Sequence, residues 1–175
     1  MRGDRVALVI HGGAGSRASR ARDEMIRRRL RAVCDDVAEY LTVHSALESV
    51  LAAVERLEDD PLFNAGIGSV LQQDGRARMS AAVMDGARCR LAGVLNIERV
   101  RHPVRVAEAL FGAADRILAG REATQFARAA GFPSWDPVTA ARRRQWRALR
   151  EAHGTVGAVA RDGEGRLAAA PSSGG

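Results

Sequence analysis

Apolar residues near the start of the chain follow two patterns, a continuous run and a helical repeat. Residues 6–10 are all apolar and are followed by Gly12 and Gly13. This pattern predicts a buried strand that leads into a glycine-containing loop. Residues 17–36 are mostly charged, but their apolar side chains recur at helical spacing, which predicts a helix.

A second helix is predicted after Ser45. Apolar residues from Ala46 to Leu57 recur every three or four positions and therefore share one helix face. Ser45 and Glu48 have the spacing of a capping box, in which each residue satisfies a backbone N–H of the first turn. Residues 59–61, Asp-Asp-Pro, are expected to end this helix.

The remaining segments alternate between turns and short apolar runs. Asp74-Gly75 and the stretch 162–165 are typical of hairpin turns. The resulting order of elements predicts a mixed α/β layered domain with antiparallel pairing. We expect strands at 68–71, 77–84, 89–97, 155–160 and 167–170, helices at 102–118 and 122–130, a loop at 132–137, and an arginine-rich helix or a poorly ordered linker at 139–151.

The composition restricts the class of protein. The chain has 175 residues, of which 46% are hydrophobic, so it can form the core of one domain. All 27 basic residues are arginines, and the net charge is +6. Because aromatic residues make up only 4% and the arginines are spread along the chain, we interpret the charge as a solvated surface and expect no nucleic-acid partner.

The sequence also bears on location. No apolar run approaches the roughly 18–20 residues that span a bilayer. The first apolar run is followed by a histidine and glycines, where a signal peptide would have a cleavage site. Cys34 and Cys89 fit no metal-binding or redox spacing, so we expect reduced thiols in a cytoplasmic protein with no membrane partner.

Generic catalytic motifs are missing from the sequence: it has no Gly-x-Ser-x-Gly elbow, no Walker loop and no His-Glu-x-x-His. Four longer stretches instead occur in the order found in plant-type asparaginases. The chain resembles this family, which includes isoaspartyl peptidases and is related to aspartylglucosaminidases. The stretches are 9–15 (VIHGGAG), 57–70 (LEDDPLFNAGIGSV), 81–103, which contains AAVMDG, LAGV and HP, and 153–175, which contains HGTVGAVA and AAPSSGG.

The resemblance implies a four-layer αββα sandwich of the N-terminal-nucleophile hydrolase type and a chain that cleaves itself between Gly154 and Thr155. The threonine then becomes a new N-terminus, and its own α-amine, with an ordinary pKa of about 8, can accept the hydroxyl proton. Without the other three motifs, an ordinary strand threonine would be the preferred interpretation of Thr155. The family's second hydroxyl matches Ser173, where relatives usually have threonine, and Asn64 matches a residue close to the nucleophile.

Three further features come from the resemblance. Gly12 and Gly13 belong to a backbone loop beside the active site. Pro171 stands where relatives usually have threonine, and its missing N–H is expected to perturb the strand. No organic cofactor is implied, but a structural sodium ion is, in a loop that otherwise reads as a plain helix end and turn. Its ligands would be the backbone carbonyls of Leu57, Glu58, Asp60, Phe63, Ala65 and Ile67.

As a whole, the chain is interpreted as one incomplete domain, residues 1–175. Residues 1–154 correspond to an α subunit with a linker at about 132–154, and residues 155–175 correspond to the start of a β subunit. The implied activity is hydrolysis of L-asparagine or β-aspartyl dipeptides, impaired because the β subunit of relatives continues further, and relatives assemble as (αβ)₂ homo-oligomers. The alternatives are a non-catalytic remnant or partner-binding subunit of such an enzyme and, with less support, an arginine-rich nucleic-acid binder.

Overall fold

The computed structural model describes residues 6–13, 19–148 and 155–174. In this part of the chain, helices and strands alternate in the mixed order that the sequence predicts. The helices are α1 (Arg20–Leu41), α2 (Ala46–Glu58), α3 (Pro103–Ala109), α4 (Gly120–Ala129) and α5 (Ala140–Arg147). The strands are β1 (Ala7–His11), β2 (Met79–Asp85), β3 (Arg90–Ile97), β4 (Ile117–Ala119), β5 (Thr155–Arg161) and β6 (Leu167–Gly174).

The described strands form one sheet in the order β1-β5-β6-β2-β3-β4. All neighbours are antiparallel except β3 and β4, which are parallel. The mixed α/β class and the β5–β6 hairpin are therefore confirmed. Because β5 and β6 are interior strands, Thr155, the first residue of β5, lies inside the sheet rather than at its edge.

Helix α2 is the main element packed on this sheet, and it lies against β5 and β6. The predicted capping box is present: the Ser45 Oγ accepts from the Glu48 N–H at 3.2 Å, and the Glu48 carboxylate accepts from the Ser45 N–H at 3.0 Å. The apolar face from Ala46 to Leu57 is buried. Burial of this stripe, more than helix propensity, stabilises the helix.

The two faces of the sheet differ in their exposure. Alternate residues of β5 and β6 are buried beneath the helices, whereas the residues between them face outward. The outward face carries a row of apolar side chains that the strand register places side by side. This uncovered row consists of Val9, Val159, Ala169, Met84 and Leu91, of which all but Ala169 are at least half exposed.

Two predicted elements are wrong. Residues 68–71 do not form a strand, because the Val70 N–H donates to the Asn64 side chain at 2.8 Å instead of to a neighbouring strand. The helix predicted at 102–118 ends at Ala109, where the Arg116 side chain donates to the carbonyls of Leu110 and Phe111 and closes the helix end. A 3-10 turn follows at Leu110–Gly112, and Ile117–Ala119 then form the short strand β4.

Helix boundaries elsewhere shift by a few residues. The first helix begins at Arg20, with Ser19 as its cap, and continues to Leu41. The arginine-rich segment 139–151 contains the helix α5 up to Arg147, and its last residues lie outside the described part. This helix is packed against the body of the domain, since Arg142 is only 8% exposed.

The turn between β5 and β6 is fixed to α2 by Asp162, which is 2% exposed. Its carboxylate accepts from the backbone N–H of Ala46 at 3.1 Å and of Arg166 at 2.9 Å, and from the Arg166 Nε at 2.7 Å. Burial alone would raise the pKa of Asp162, but these hydrogen bonds outweigh it and hold the pKa below its usual value.

We expect Asp162→Asn to lower the free energy of unfolding by about 2 kcal/mol at neutral pH, because it leaves buried donors without a carboxylate. The difference in free energy of unfolding between the wild type and Asp162→Asn should be complete above the ordinary aspartate pKa of 3.8. It should disappear as the pH falls below this value, since the folded-state pKa of Asp162 is lowered. Urea denaturation of both proteins across pH tests this. Glu164→Gln, whose side chain is 72% exposed, is the matched control and should change little.

Candidate active site

The hydroxyl groups of Thr155 and Ser173 lie next to each other. Thr155 is the first residue of β5, and it pairs with Ser173 of β6 in the antiparallel register. The Thr155 hydroxyl donates to the Ser173 Oγ at 3.3 Å. Thr155 is exposed and Ser173 is half-buried, so the pair is accessible from the uncovered face of the sheet. The two residues singled out by the family motif are thus brought together, while their catalytic role stays a prediction.

His11 begins the loop that the family motif predicts beside the active site, but the contact of its ring with Thr155 was not predicted. It ends β1, and its ring Nδ1–H donates to the Thr155 backbone carbonyl at 2.9 Å. The Gly13 nitrogen lies 3.3 Å from the same ring nitrogen, which places the predicted Gly12–Gly13 loop beside the start of β5. His11 and Thr155 are 144 positions apart, so no local pattern could have revealed the contact.

Gly12 marks where this loop meets a second predicted segment. A Cβ at Gly12 would come within 2.8 Å of the Phe63 ring, a distance that real side chains essentially never show. The loop therefore packs closely against Phe63 because position 12 has no side chain. Through this contact, the second segment, 57–70, lies next to the Gly12–Gly13 loop.

Asn64 connects the same segment to β6. Its backbone carbonyl accepts from the Gly174 N–H at 3.0 Å, and its side-chain Oδ1 accepts from the Val70 N–H at 2.8 Å. Because Gly174 directly follows Ser173, the Asn64 backbone lies one residue from the hydroxyl pair. The side-chain oxygen of Asn64 thus stabilises the turn between Asn64 and Val70, a role that the sequence did not suggest.

Pro171 interrupts one side of β6, as predicted. The strand continues through it and remains paired with Gly157 of β5. On the other side, the register with β2 includes Ser172 and Ala169 but neither residue between them. The missing N–H of proline accounts for this gap, because a central strand needs donors on both sides.

Glu58 is a second feature that sequence reasoning missed, since only its backbone was singled out. Its side chain is fully buried, and its Oε1 accepts from the Ser172 hydroxyl at 2.6 Å and from the Val104 N–H at 3.2 Å. Its Oε2 is buried without a hydrogen-bond partner in the described residues. Burial raises the pKa of Glu58 to about 8, although both hydrogen bonds act to lower it.

Two carbonyls of the predicted sodium loop lie close against glycine residues. A Cβ at Gly66 would collide with the Glu58 carbonyl oxygen, and one at Gly68 would collide with that of Phe63. Gly66 also has a φ of 50°, a conformation that favours glycine. Two of the other predicted ligand carbonyls are shared with the loop itself: that of Asp60 accepts from the Phe63 N–H at 3.2 Å, and that of Ala65 from the Gly68 N–H at 2.9 Å.

The predicted ligand set is called here the cradle and comprises the backbone carbonyls of Leu57, Glu58, Asp60, Phe63, Ala65 and Ile67. Leu57 and Glu58 lie in the last turn of α2, where carbonyls lack the intrahelical partners of the helix interior. Uncharged oxygen donors suit a hard cation. The residues present therefore fit the ion that the sequence predicts, whereas its binding has yet to be tested.

Comparison with known proteins decides the family. The sequence profile of the asparaginase family matches residues 4–153. The chain belongs to the asparaginase family. This result confirms the resemblance, and the matched residues include the Gly12–Gly13 loop and the carbonyl cradle of this asparaginase-family chain. The hydroxyl pair lies beyond the profile match.

Several curated relatives are similar to this asparaginase-family chain over nearly all of its length. The isoaspartyl peptidase/L-asparaginase of Synechocystis sp. is 40% identical over 96% of this chain and 57% of the relative. The plant-type L-asparaginase of Pyrococcus abyssi is 38% identical over 97% of this chain and 63% of the relative. The isoaspartyl peptidase of Salmonella typhimurium is 37% identical over 98% and 63%. The chain thus spans about three fifths of the length of these relatives.

Gly154, the residue before the predicted cleavage position, lies outside the described residues. Among the helices that are described, none is long and apolar enough to cross a membrane.

We expect the stability of the wild-type protein to decrease, relative to Glu58→Gln, as the pH is raised. Because the folded-state pKa of about 8 exceeds the ordinary 4.5, the contribution of the protonated Glu58 carboxyl to stability is complete below pH 4.5. This contribution is lost as the pH rises through 8. Urea denaturation in sodium-free buffer at a series of pH values measures the difference. Parallel stability curves for the two proteins would show that Glu58 does not titrate in this way.

Proposed function

We propose that this chain carries the nucleophile of an amidohydrolase that cleaves its own backbone between Gly154 and Thr155. The observation that carries the proposal is the Thr155 hydroxyl, exposed and 3.3 Å from the Ser173 Oγ, at the first residue of a central strand in an asparaginase-family chain. The second hydroxyl lies at a distance from which it can hold the nucleophile in position.

The chemistry follows from the group that cleavage creates. A threonine hydroxyl is a weak nucleophile, and a base must take its proton. Cleavage before Thr155 frees an α-amine on the same residue, and this amine, with an ordinary pKa near 8, accepts the proton from Oγ1. The oxygen then attacks an amide carbonyl, an ester forms on Thr155, and ammonia or an amine leaves. Water hydrolyses the ester and restores the hydroxyl.

His11 and Gly13 bound the site on the side of β1. The His11 ring bonds to the Thr155 carbonyl and therefore orients the backbone of the nucleophile rather than its hydroxyl. This arrangement supports the amine, not the histidine, as the base. As substrates we propose L-asparagine or β-aspartyl dipeptides, because curated relatives are named L-asparaginases and isoaspartyl peptidases.

The uncovered row supports a finer proposal for the fold. Four side chains of this row are at least half exposed, and an apolar sheet face of this kind favours burial against a further layer. We propose that a second sheet covers it, as in the four-layer αββα sandwich. The same surface is the observation that favours the second candidate function, a non-catalytic, partner-binding subunit.

The cradle supports a structural sodium ion. Glycine at positions 66 and 68 leaves room for carbonyl oxygens of Glu58 and Phe63 to point into the loop. A bound cation would hold α2, Phe63 and Asn64 together through backbone oxygens alone. The ion would thereby stabilise the segment that contacts both Gly12 and β6.

Self-cleavage is tested by intact mass spectrometry of the purified chain after incubation. We expect a fragment that begins at Thr155. Thr155→Val keeps the β-branched shape but lacks the hydroxyl, so cleavage should stop, whereas Thr155→Ser should still cleave. Ser173→Ala should slow cleavage about tenfold, the loss expected for one hydrogen bond.

If no cleavage is found, circular dichroism of the same samples shows whether the chain is folded. A folded wild-type chain that stays intact would contradict self-cleavage and favour the partner-binding alternative. Hydrolysis of L-asparagine and of β-aspartyl dipeptides is then measured on the cleaved protein, with Thr155→Val as the blank.

Coverage of the sheet face is tested by methionine oxidation. Met84 lies in the uncovered row and is 50% exposed, while Met25 on α1 is 40% exposed. If a further layer covers the sheet, hydrogen peroxide should oxidise Met84 several-fold more slowly than Met25, as read by peptide mass spectrometry. Equal rates would show that the face stays open to solvent.

A further inference from the structure

Arg142 is a buried cation whose described partners are uncharged. It lies on α5 and is 8% exposed. Its guanidinium donates to the Gln145 side-chain oxygen at 2.8 Å and to the Phe63 carbonyl at 3.4 Å. None of the described carboxylates forms an ion pair with it, and its pKa is lowered by burial and by a second cation, Arg22. Buried charges normally have a counter-charge.

The Phe63 carbonyl supplies the negative end of a dipole where a carboxylate would otherwise be expected. This oxygen belongs to the cradle, and it points at Gly68, where a Cβ would also come within 3.0 Å of the Pro61 carbonyl. The carbonyls of Phe63 and Pro61 therefore lie near each other at Gly68, and that of Phe63 contacts the guanidinium. Such a group of oxygens favours a positive charge of either kind, a side chain or an ion.

Neighbouring contacts hold the guanidinium in this position. The Trp146 indole N–H, one helical turn after Arg142, donates to the Gln73 carbonyl at 3.3 Å. Gly75, with a φ of 76°, makes room for the indole, since a Cβ there would lie 3.1 Å from the ring. The helix α5 is thus docked on the loop of Phe63 through Arg142 and on the turn at Gln73 and Gly75 through Trp146.

We propose that Arg142 is a built-in cation of the cradle, which opposes sodium binding and partly replaces the ion. A sodium ion on the Phe63 carbonyl would lie close to the guanidinium within a region of low dielectric, and the two positive charges would repel. Because linkage is reciprocal, a bound ion would weaken the docking of α5 by the same factor as the docked helix weakens ion binding.

This inference rests on the sodium site proposed above, and the test separates the two. The melting temperature of the full chain is measured in sodium chloride and in choline chloride at equal ionic strength. Arg142→Met and Arg142→Gln remove the charge, Arg142→Lys keeps it, and Arg143→Met removes the charge of an exposed neighbour on the same helix as the matched control.

We expect sodium to raise the melting temperature of Arg142→Met and Arg142→Gln by several degrees more than that of the wild type. Sodium affinity, from the dependence on ion concentration, should increase about tenfold or more in these two variants. Arg142→Lys and Arg143→Met should respond like the wild type.

Two outcomes would overturn the proposal, and they differ in whether they also exclude the sodium site. Equal sodium responses in the wild type and in the charge-free variants would leave the sodium site standing and show that Arg142 does not oppose it. No sodium response in any protein would exclude both the antagonism and the sodium site itself.

Discussion

The alternation of side chains along β6 is the constraint on which the candidate site depends. Successive residues of a strand face opposite sides, so Ser172 points into the core and Ser173 points to the uncovered face. The inner hydroxyl bonds to the buried Glu58, and the outer one bonds to Thr155. A shift of one residue in register would exchange the two hydroxyls and separate Thr155 from Ser173.

The Glu58 side chain stabilises that register from inside the core through its bond with Ser172. It lies at the end of α2 and bonds both to β6 and to the first turn of α3, so three elements meet at one carboxyl group. Because the site is fully buried, a neutral carboxyl is favoured there and an ionised one is penalised. The bond between Ser172 and Glu58 thus favours the register in which Ser173 faces Thr155 on the outer side of the sheet.

How much of this could be predicted depended on the separation of the residues in sequence. The capping box of α2 and the β5–β6 hairpin follow from residues a few positions apart, and both are present. The contacts of His11 with Thr155 and of Glu58 with Ser172 join residues 144 and 114 positions apart, and no local pattern encodes them. The strand β4 was missed for a related reason, because three residues with no turn signal form a strand only when β3 is beside them.

The family motif located Thr155 and Ser173 without explaining their surroundings. Arg142 shows the limit of such matching, because it lies in a segment that the motif treats as a linker. Its burial reflects the Phe63 carbonyl and the docking of Trp146, which are properties of the folded chain.

The uncovered face connects the two proposed roles of the chain. Thr155, Gly157 and Val159 alternate along the outward side of β5, so Thr155 shares its face with the apolar row. A layer that buries Val159 would therefore also form a wall of the site around Thr155. It would exclude water near the hydroxyl pair and strengthen hydrogen bonds to a developing charge. The layer that covers the sheet would then have two effects, because it would stabilise the fold and also complete the site.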